Sequence, residues 1–461
     1  MVTTMAGQYR NLLFLLADQL RHDAPGYALG GKGLSKTPHI DRLASRGIAY
    51  SRAYTPLPVC APARQSLLCG RHPDSFGAFW NHGFFNTPDF VPPSTLTQNL
   101  AACGKRGYFA GKWDIAKGTK PQDFGFSAYC SKSEYALYYK DRYPALNFEG
   151  GWMGCESPVK LEDADTHFFA RKAVDFIREK PSPNENGFFL WVDFGVPHLP
   201  CRPSAPFSAM YSAKDFPPWQ GFGDPKENKP YCHKQQTLNW NLDKASWEEM
   251  AAQVARYCGV VSQLDDAIGF IVKALEESGH LDDTLIILTS DHGDMCGNHR
   301  MFDKHNTMYD DIVRVPLVIS GSSFTPHSSE ALVSNCLDLP LTISSLMGLP
   351  ALSGAHGFCL PLKGESTRNF ITSSSNGQQF GFFNTRMITD GRYKYVWNLT
   401  DVDEFYDAQT DPGECCNLIY DSSMAEYIKK FRRELFNDLK AHGDPFASEW
   451  LAPQLLEGRK L

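Results

Sequence analysis

The segment Pro58-Val-Cys-Ala-Pro-Ala-Arg-Gln-Ser-Leu-Leu-Cys-Gly-Arg71 carries the residue types and spacing best suited to chemistry. Cys60 stands two residues before a proline, Arg64 follows, and a Ser-Leu-Leu run ends at Gly70, so the segment reads as a loop entering a helix with Cys60 at its N-terminus. That position suits an anion and its nucleophile. Free backbone N–H groups and the helix dipole draw negative charge, and Arg64 offers a forked donor to a tetrahedral oxyanion. The same pattern also fits a buried helix-start cysteine with no chemical role. A second group, Asp18, Gln19, Asp291 and His292, lies where apolar runs end. In a layered α/β sheet the strand carboxyl ends form the ligand crevice.

Those runs are the elements that must position the chemistry. Arg10–Asp18, Phe188–Asp193 and Thr284–His292 are short continuous apolar stretches that stop at a carboxylate, as strands buried on both faces do, and Val315–Ser320 is a weaker example. Between them, Thr37–Gly47 has a cap, an early proline and a terminal glycine, and Asp163–Glu179 and Asp243–Gly279 have helical apolar spacing, the last expected to break near Gly259. Alternating strands and helices predict an α/β fold: a large central, mostly parallel mixed sheet flanked by helices. Lys120–Leu161 and Leu199–Asp243 read as long loops walling a cleft. The pattern changes near residue 365, giving an N-terminal catalytic domain over 1–365 and a C-terminal α+β subdomain over 366–461. The latter is expected to hold a short antiparallel sheet, with a hairpin over Arg386–Trp397 turning at Asp390-Gly391, and one helix, about Met424–His442.

Composition narrows the function classes. With 45 Lys+Arg against 52 Asp+Glu the net charge is −7, and no basic block provides a footprint for nucleic acid. Leu12–Ala17 falls far short of the roughly 20 apolar residues that span a bilayer. Thirteen cysteines, spread along the chain with Cys415 and Cys416 adjacent, do not form the pattern of a secreted disulfide scaffold. Reduced thiols and a cytoplasmic location are the expectation.

Cys60-Ala-Pro-Ala-Arg64 with Leu67-Leu-Cys-Gly-Arg71 resembles the signature of the type I sulfatases, the formylglycine-dependent branch of the alkaline-phosphatase-like superfamily. The resemblance runs on to Glu404–Leu418, essentially the whole chain. It implies the alkaline-phosphatase-like fold and oxidation of Cys60 to formylglycine (3-oxoalanine) by a maturase, the hydrated aldehyde being the nucleophile. It also implies a divalent metal held by Asp18, Gln19, Asp291, His292 and Cys60 itself. Oxygen-rich ligands favour Ca²⁺ first and Mg²⁺ second. Asp18-Gln19 stands for a more frequent Asp-Asp and Asp291-His292 for Asp-Asn.

Further elements match the same family. Gly111-Lys-Trp-Asp114 resembles its Gly-Lys-Trp-His element, which places Lys112 on the sulfate and the leaving oxygen; Asp114 replaces the histidine and either takes over its contact, reads a substrate hydroxyl or amine, or yields the space to His72 or His82. Pro197-His-Leu-Pro200 resembles the element whose histidine, His198, protonates the leaving alkoxide. Phe302–Pro316 resembles the segment supplying a second sulfate-binding lysine, Lys304, with His305 competing, while Asp294 and His299 support the metal loop. The implied activity is hydrolysis of a sulfate monoester, a carbohydrate O-sulfate, with Trp80, Trp113, Trp152, Trp219 and Trp240 available to stack on sugar rings. Two alternatives stay open: a phosphonate monoester or phosphodiester hydrolase of the superfamily, and an inactive sugar-binding pseudoenzyme. The expected partners are an oligosaccharide sulfate ester and the maturase.

Overall fold

The computed structural model describes residues 7–81, 89–179, 185–304, 306–363, 366, 368–377 and 381–460. Its first apolar run forms strand β1, Asn11–Asp18. Successive side chains alternate across the sheet: Leu13, Leu15 and Ala17 enter one core, and Leu12, Phe14 and Leu16 the other. Covering on both faces is why the run is continuously apolar, and each fully buried Leu or Phe contributes about 1.5–3 kcal/mol.

Seven more strands complete the main sheet: β2 Gly47–Tyr54, β3 Arg106–Gly111, β4 Ala128–Ser131, β5 Phe188–Pro197, β6 Thr284–Ser290, β7 Arg314–Ser320 and β8 His327–Ser334. Their order is β4-β3-β5-β1-β6-β7-β2-β8, with β7 antiparallel to both neighbours and the other pairs parallel. The mostly parallel mixed sheet expected from the sequence is therefore present. In register, Leu16 faces Asp193, Ala17 faces Ser290 and Gly111 faces Asp193, so β3, β5, β1 and β6 end along one edge.

Three expectations are corrected. The helix over Trp247–Glu277 runs unbroken. Gly259 is there for close approach, since a Cβ would stand 2.8 Å from the Phe207 carbonyl oxygen, and not to interrupt the helix. Lys120–Leu161 is no simple loop: it holds the edge strand β4 and a helix, Lys132–Arg142, whose start is boxed by Ser131 and Glu134. Leu199–Asp243 likewise contains a helix, Tyr231–Asn239.

The C-terminal sheet is antiparallel, ordered β12-β11-β10-β9 from β9 Ile371–Gly377, β10 Phe383–Thr389, β11 Tyr393–Asn398 and β12 Glu404–Asp407. Arg386 pairs with Trp397 and Thr389 with Lys394 across the expected turn, where Gly391 takes φ 88°. Helix Ala425–His442 lays Ile428, Phe431, Leu435 and Leu439 against this sheet. Residue 365 lies outside the described residues. The buried Arg386 side chain ties the sheet to the segment after the Cys60 helix, with Nε 2.6 Å from Asp444 Oδ2 and Nη2 3.1 Å from Asp74 Oδ1. All thirteen cysteines are unpaired, and among the described residues no helix is long and apolar enough to cross a membrane.

Candidate active site

Four adjacent strand ends build the site. Asp18 and Gln19 close β1, Asp291 and His292 follow β6, Lys112 follows β3, Asp193 lies within β5 opposite Gly111, and His198 follows β5. Gln19 turns the chain off β1 with φ 72°, a left-handed conformation secured by its N–H donating to Asp291 Oδ1 at 3.0 Å and its carbonyl accepting from Tyr257 Oη at 2.9 Å. Gly111 has φ 115°, and a Cβ there would lie 1.9 Å from the Asp193 carbonyl oxygen, so only glycine lets β3 deliver Lys112 against β5.

Helix Cys60–Cys69 begins at Cys60 as expected, and Gly70 closes it with φ 68°. The Sγ atom is buried, 3.4 Å from His292 Nε2 and 3.7 Å from Asp18 Oδ1. Burial and Asp18 push this thiol up, but Lys112, Lys304 and His292 prevail and hold it well below the ordinary thiol range. The helix start is less open to anions than expected: Ala61 N–H already donates to Asn81 Oδ1 at 3.0 Å, and Pro62 has no N–H.

Arg64 departs from its expected role. Its guanidinium is fully buried, with Nε 2.9 Å from Asp193 Oδ2, Nη2 3.2 Å from Asp18 Oδ2 and Nη1 2.7 Å from Asp291 Oδ2. Three carboxylates take its fork, so what the structure shows is Arg64 positioning them. Burial alone would lower its pKa, but Asp193, Asp291 and Asp18 keep it raised and the group charged. Asp193, which sequence reasoning did not single out as a site residue, is the main partner; its signal was available, because it too ends an apolar run.

Asp18, Cys60, Asp291 and His292 each offer a ligand atom within 4.8 Å of the others. His292 Nδ1 donates to the Gly293 carbonyl at 2.9 Å, which leaves the Nε2 lone pair facing the cluster. Asp291 Oδ2 is buried without a properly directed hydrogen bond, even though Arg64 Nη1 is close. Burial and the neighbouring Asp18 raise the Asp291 pKa. Three carboxylates around one guanidinium thus leave an excess of negative charge that a divalent cation would relieve, and the donor set fits a metal. Gln19 Nε2 donates to Asp294 Oδ2, which turns Gln19 Oε1 toward Lys304 Nζ at 3.4 Å.

Cations complete the ring. Lys112 Nζ lies 2.5 Å from Asp18 Oδ2 and 3.4 Å from Asp114 Oδ2. Burial raises the Asp18 carboxyl, but Lys112, His198, Arg64 and His292 outweigh it and hold the group well below the usual range. Lys304 Nζ lies 3.0 Å from His198 Nε2, while His198 Nδ1 donates to the Leu199 carbonyl at 2.7 Å. Burial and Lys304 disfavour the His198 imidazolium, yet Asp18 nearby leaves its pKa above that of ordinary imidazole.

Other expected residues fall elsewhere. Asp114, 28% exposed, stands at the rim paired with Lys112, which removes the repulsion a lone carboxylate would exert on an anion. His72 stacks on His442, ring centroids 3.9 Å apart, so it does not replace the absent histidine. His299 is engaged with Asp224 at 2.7 Å and stacks on Tyr309, while Asp294 does support the Gln19 side. Trp80 packs beneath Leu57 and Val59, Trp113 lies in the core, Trp219 donates to the Cys296 carbonyl and Trp240 is half-buried; of the five, Trp152 is the exposed one, at 70%. His82 and His305 lie outside the described residues.

Known proteins resemble this chain over most of its length. The family model described as Sulfatase matches residues 10–349, and that described as N-sulphoglucosamine sulphohydrolase, C-terminal, matches 297–441. The chain is 28% identical over 460 residues to an uncharacterized sulfatase, YidJ, of Escherichia coli, covering 95% of this chain and 89% of that protein. It is 26% identical over 468 residues to an ulvan-active sulfatase of Formosa agariphila, covering 95% and 82%. The crystal structure of phosphonate monoester hydrolase of Agrobacterium radiobacter superposes with TM-score 0.78 at 24% identity, covering 94% of this chain and 96% of that one, a likeness of fold.

Proposed function

Since the chain belongs to the sulfatase family and is a sulfuric ester hydrolase with the alkaline-phosphatase-like fold, we propose that it removes an O-sulfate from a carbohydrate, using a nucleophile made from Cys60 and a divalent cation, Ca²⁺ before Mg²⁺. The observation that carries this reading is the convergence of Lys112, Lys304, His198 and the Asp18-Asp291-His292 cluster around one buried Cys60. Formylglycine at position 60 would supply as its hydrate the attacking hydroxyl and a second hydroxyl whose collapse releases sulfate, chemistry that a serine or cysteine cannot complete. Asp18, Asp291 and His292 would hold the cation, which would neutralise charge on the sulfuryl oxygens, while Gln19, expected from the sequence as a further ligand, turns its Oε1 to Lys304.

The chain's own residues do the rest. Arg64 fixes the three carboxylates. Lys112 and Lys304 present ammonium groups to the sulfuryl oxygens as charge shifts in the transition state. His198 Nε2 lies 3.0 Å from Lys304 Nζ, and once protonated it can give its proton to the departing alkoxide. At the rim, Asp114 can accept from a sugar hydroxyl. The ulvan-active relative fits a carbohydrate substrate.

Two measurements test this. Mass spectrometry of the tryptic peptide Ala53–Arg64 should show sulfur at Cys60 replaced by an aldehyde oxygen or its hydrate in active protein; plain cysteine in active protein overturns the nucleophile. Sulfate release from sulfated sugars and an aryl sulfate should exceed hydrolysis of an aryl phosphonate and vanish in Cys60→Ala. A phosphonate preference overturns the substrate class.

A further inference from the structure

A second cluster of ligating side chains lies outside the active site. His72, in the segment leaving the Cys60 helix, and Asp438 and His442, on helix Ala425–His442, each offer one donor atom within 4.8 Å of the others. Asp438 and His442 are four residues apart on one helix, so they share a face and can chelate together. His72 approaches from the catalytic portion of the chain and stacks on His442, ring centroids 3.9 Å apart at 12°, so one ring must turn for both in-plane lone pairs to face a single ion.

Two details give this cluster the character of a built site. His442 Nδ1 is buried and makes no hydrogen bond; the nearest Asp438 oxygen is 3.5 Å away. Asp438 Oδ2 accepts from Thr372 Oγ1 of β9 at 2.6 Å, the outer contact that orients a ligating carboxylate. The third imidazole, His356, is not available as a ligand through Nδ1, which accepts the His72 backbone N–H at 3.2 Å. Asp74 is committed to Arg386, Ser374 and Asn376.

We propose that His72, His442 and Asp438 form a second metal site that takes Zn²⁺ and pins the C-terminal helix to the segment leaving the Cys60 helix. Two imidazoles and a carboxylate suit Zn²⁺ more than a hard cation, with a water completing the tetrahedron. Asp438, with a side chain 43% exposed, gives the ion its route in. The site lies at the same seam as the Arg386 ion network.

The test uses the full chain, stripped with a chelator and then kept in excess Ca²⁺ so that the oxygen-rich active site is occupied, before titration with Zn²⁺. The expected result is one zinc per chain by elemental analysis and a thermal midpoint raised by a few degrees. Asp438→Asn and His442→Gln should each weaken zinc at least tenfold and abolish the rise, whereas His292→Ala should keep both. With Co²⁺ the site should give a visible tetrahedral spectrum without a thiolate charge-transfer band. No bound zinc in the unaltered chain overturns the proposal. So does zinc that survives both variants, that is lost in His292→Ala, or that yields a thiolate band with Co²⁺.

Discussion

Arg64 and His198 show how much a residue's role depends on what faces it. Arg64 sits in the motif where an oxyanion donor was expected, yet Asp18, Asp193 and Asp291 occupy its fork. Arg64→Ala should therefore act on stability first: leaving buried carboxylates unpaired is expected to remove about 3–5 kcal/mol, read as a lower thermal midpoint, and Arg64→Lys should recover little because an ammonium cannot span three carboxylates. A normal midpoint with activity lost would instead mean that Arg64 touches substrate. For His198, a proton donor matters most when the leaving alkoxide is basic. His198→Asn is expected to lower kcat about 10²–10⁴-fold on a sugar sulfate and far less on an aryl sulfate with an acidic phenol; equal losses on both would assign it to binding.

At the scale of elements, the strand ends were legible and the helices less so. β1, β5 and β6 declare themselves because burial on both faces keeps each run almost wholly apolar up to Asp18, up to Asp193 and, past Thr289 and Ser290, up to Asp291. The helix Trp247–Glu277 was read as broken because glycine is a poor helix former, and what retains Gly259 is a contact with Phe207 and Pro203 that is remote in sequence. Gly259→Ala is expected to lower stability by about 1–3 kcal/mol through that clash, despite the roughly 1 kcal/mol that helix propensity favours alanine. Chemical denaturation checks this, and a more stable variant would show that the neighbouring backbone yields.

Across the whole molecule, buried charge joins the catalytic sheet to the C-terminal one. Glu404 of β12 illustrates its pH dependence. Burial pushes its carboxyl up, but His233, Tyr406 Oη at 2.6 Å and Asn398 Nδ2 at 3.0 Å outweigh it and hold the pKa at about 2 against the usual 4.5. A depressed carboxyl stabilises the fold above its unfolded value and loses that contribution as pH falls through the folded one. About 3 kcal/mol should accordingly disappear between about pH 5 and pH 2, at about 1.4 kcal/mol per pH unit. Glu404→Gln should flatten the fall of the thermal midpoint over that range, and an unchanged slope would assign acid unfolding to other groups.

By itself the sequence determined the layered α/β sheet, the strand-end position of Asp18, Gln19, Asp291 and His292, the helix start at Cys60 and the C-terminal hairpin and helix. Each follows from local periodicity, turn chemistry or a contiguous motif. Only the tertiary structure decided which charges face one another: that Arg64 belongs to Asp193, that Asp114 is paired with Lys112, that Lys304 reaches His198, and that His72 meets a helix some 370 residues further on. The reason is physical. Burial and Coulomb interaction fall off with distance in space, and four strands adjacent in the sheet bring together residues from positions 18 to 304 whose separation in the chain carries no record of that proximity.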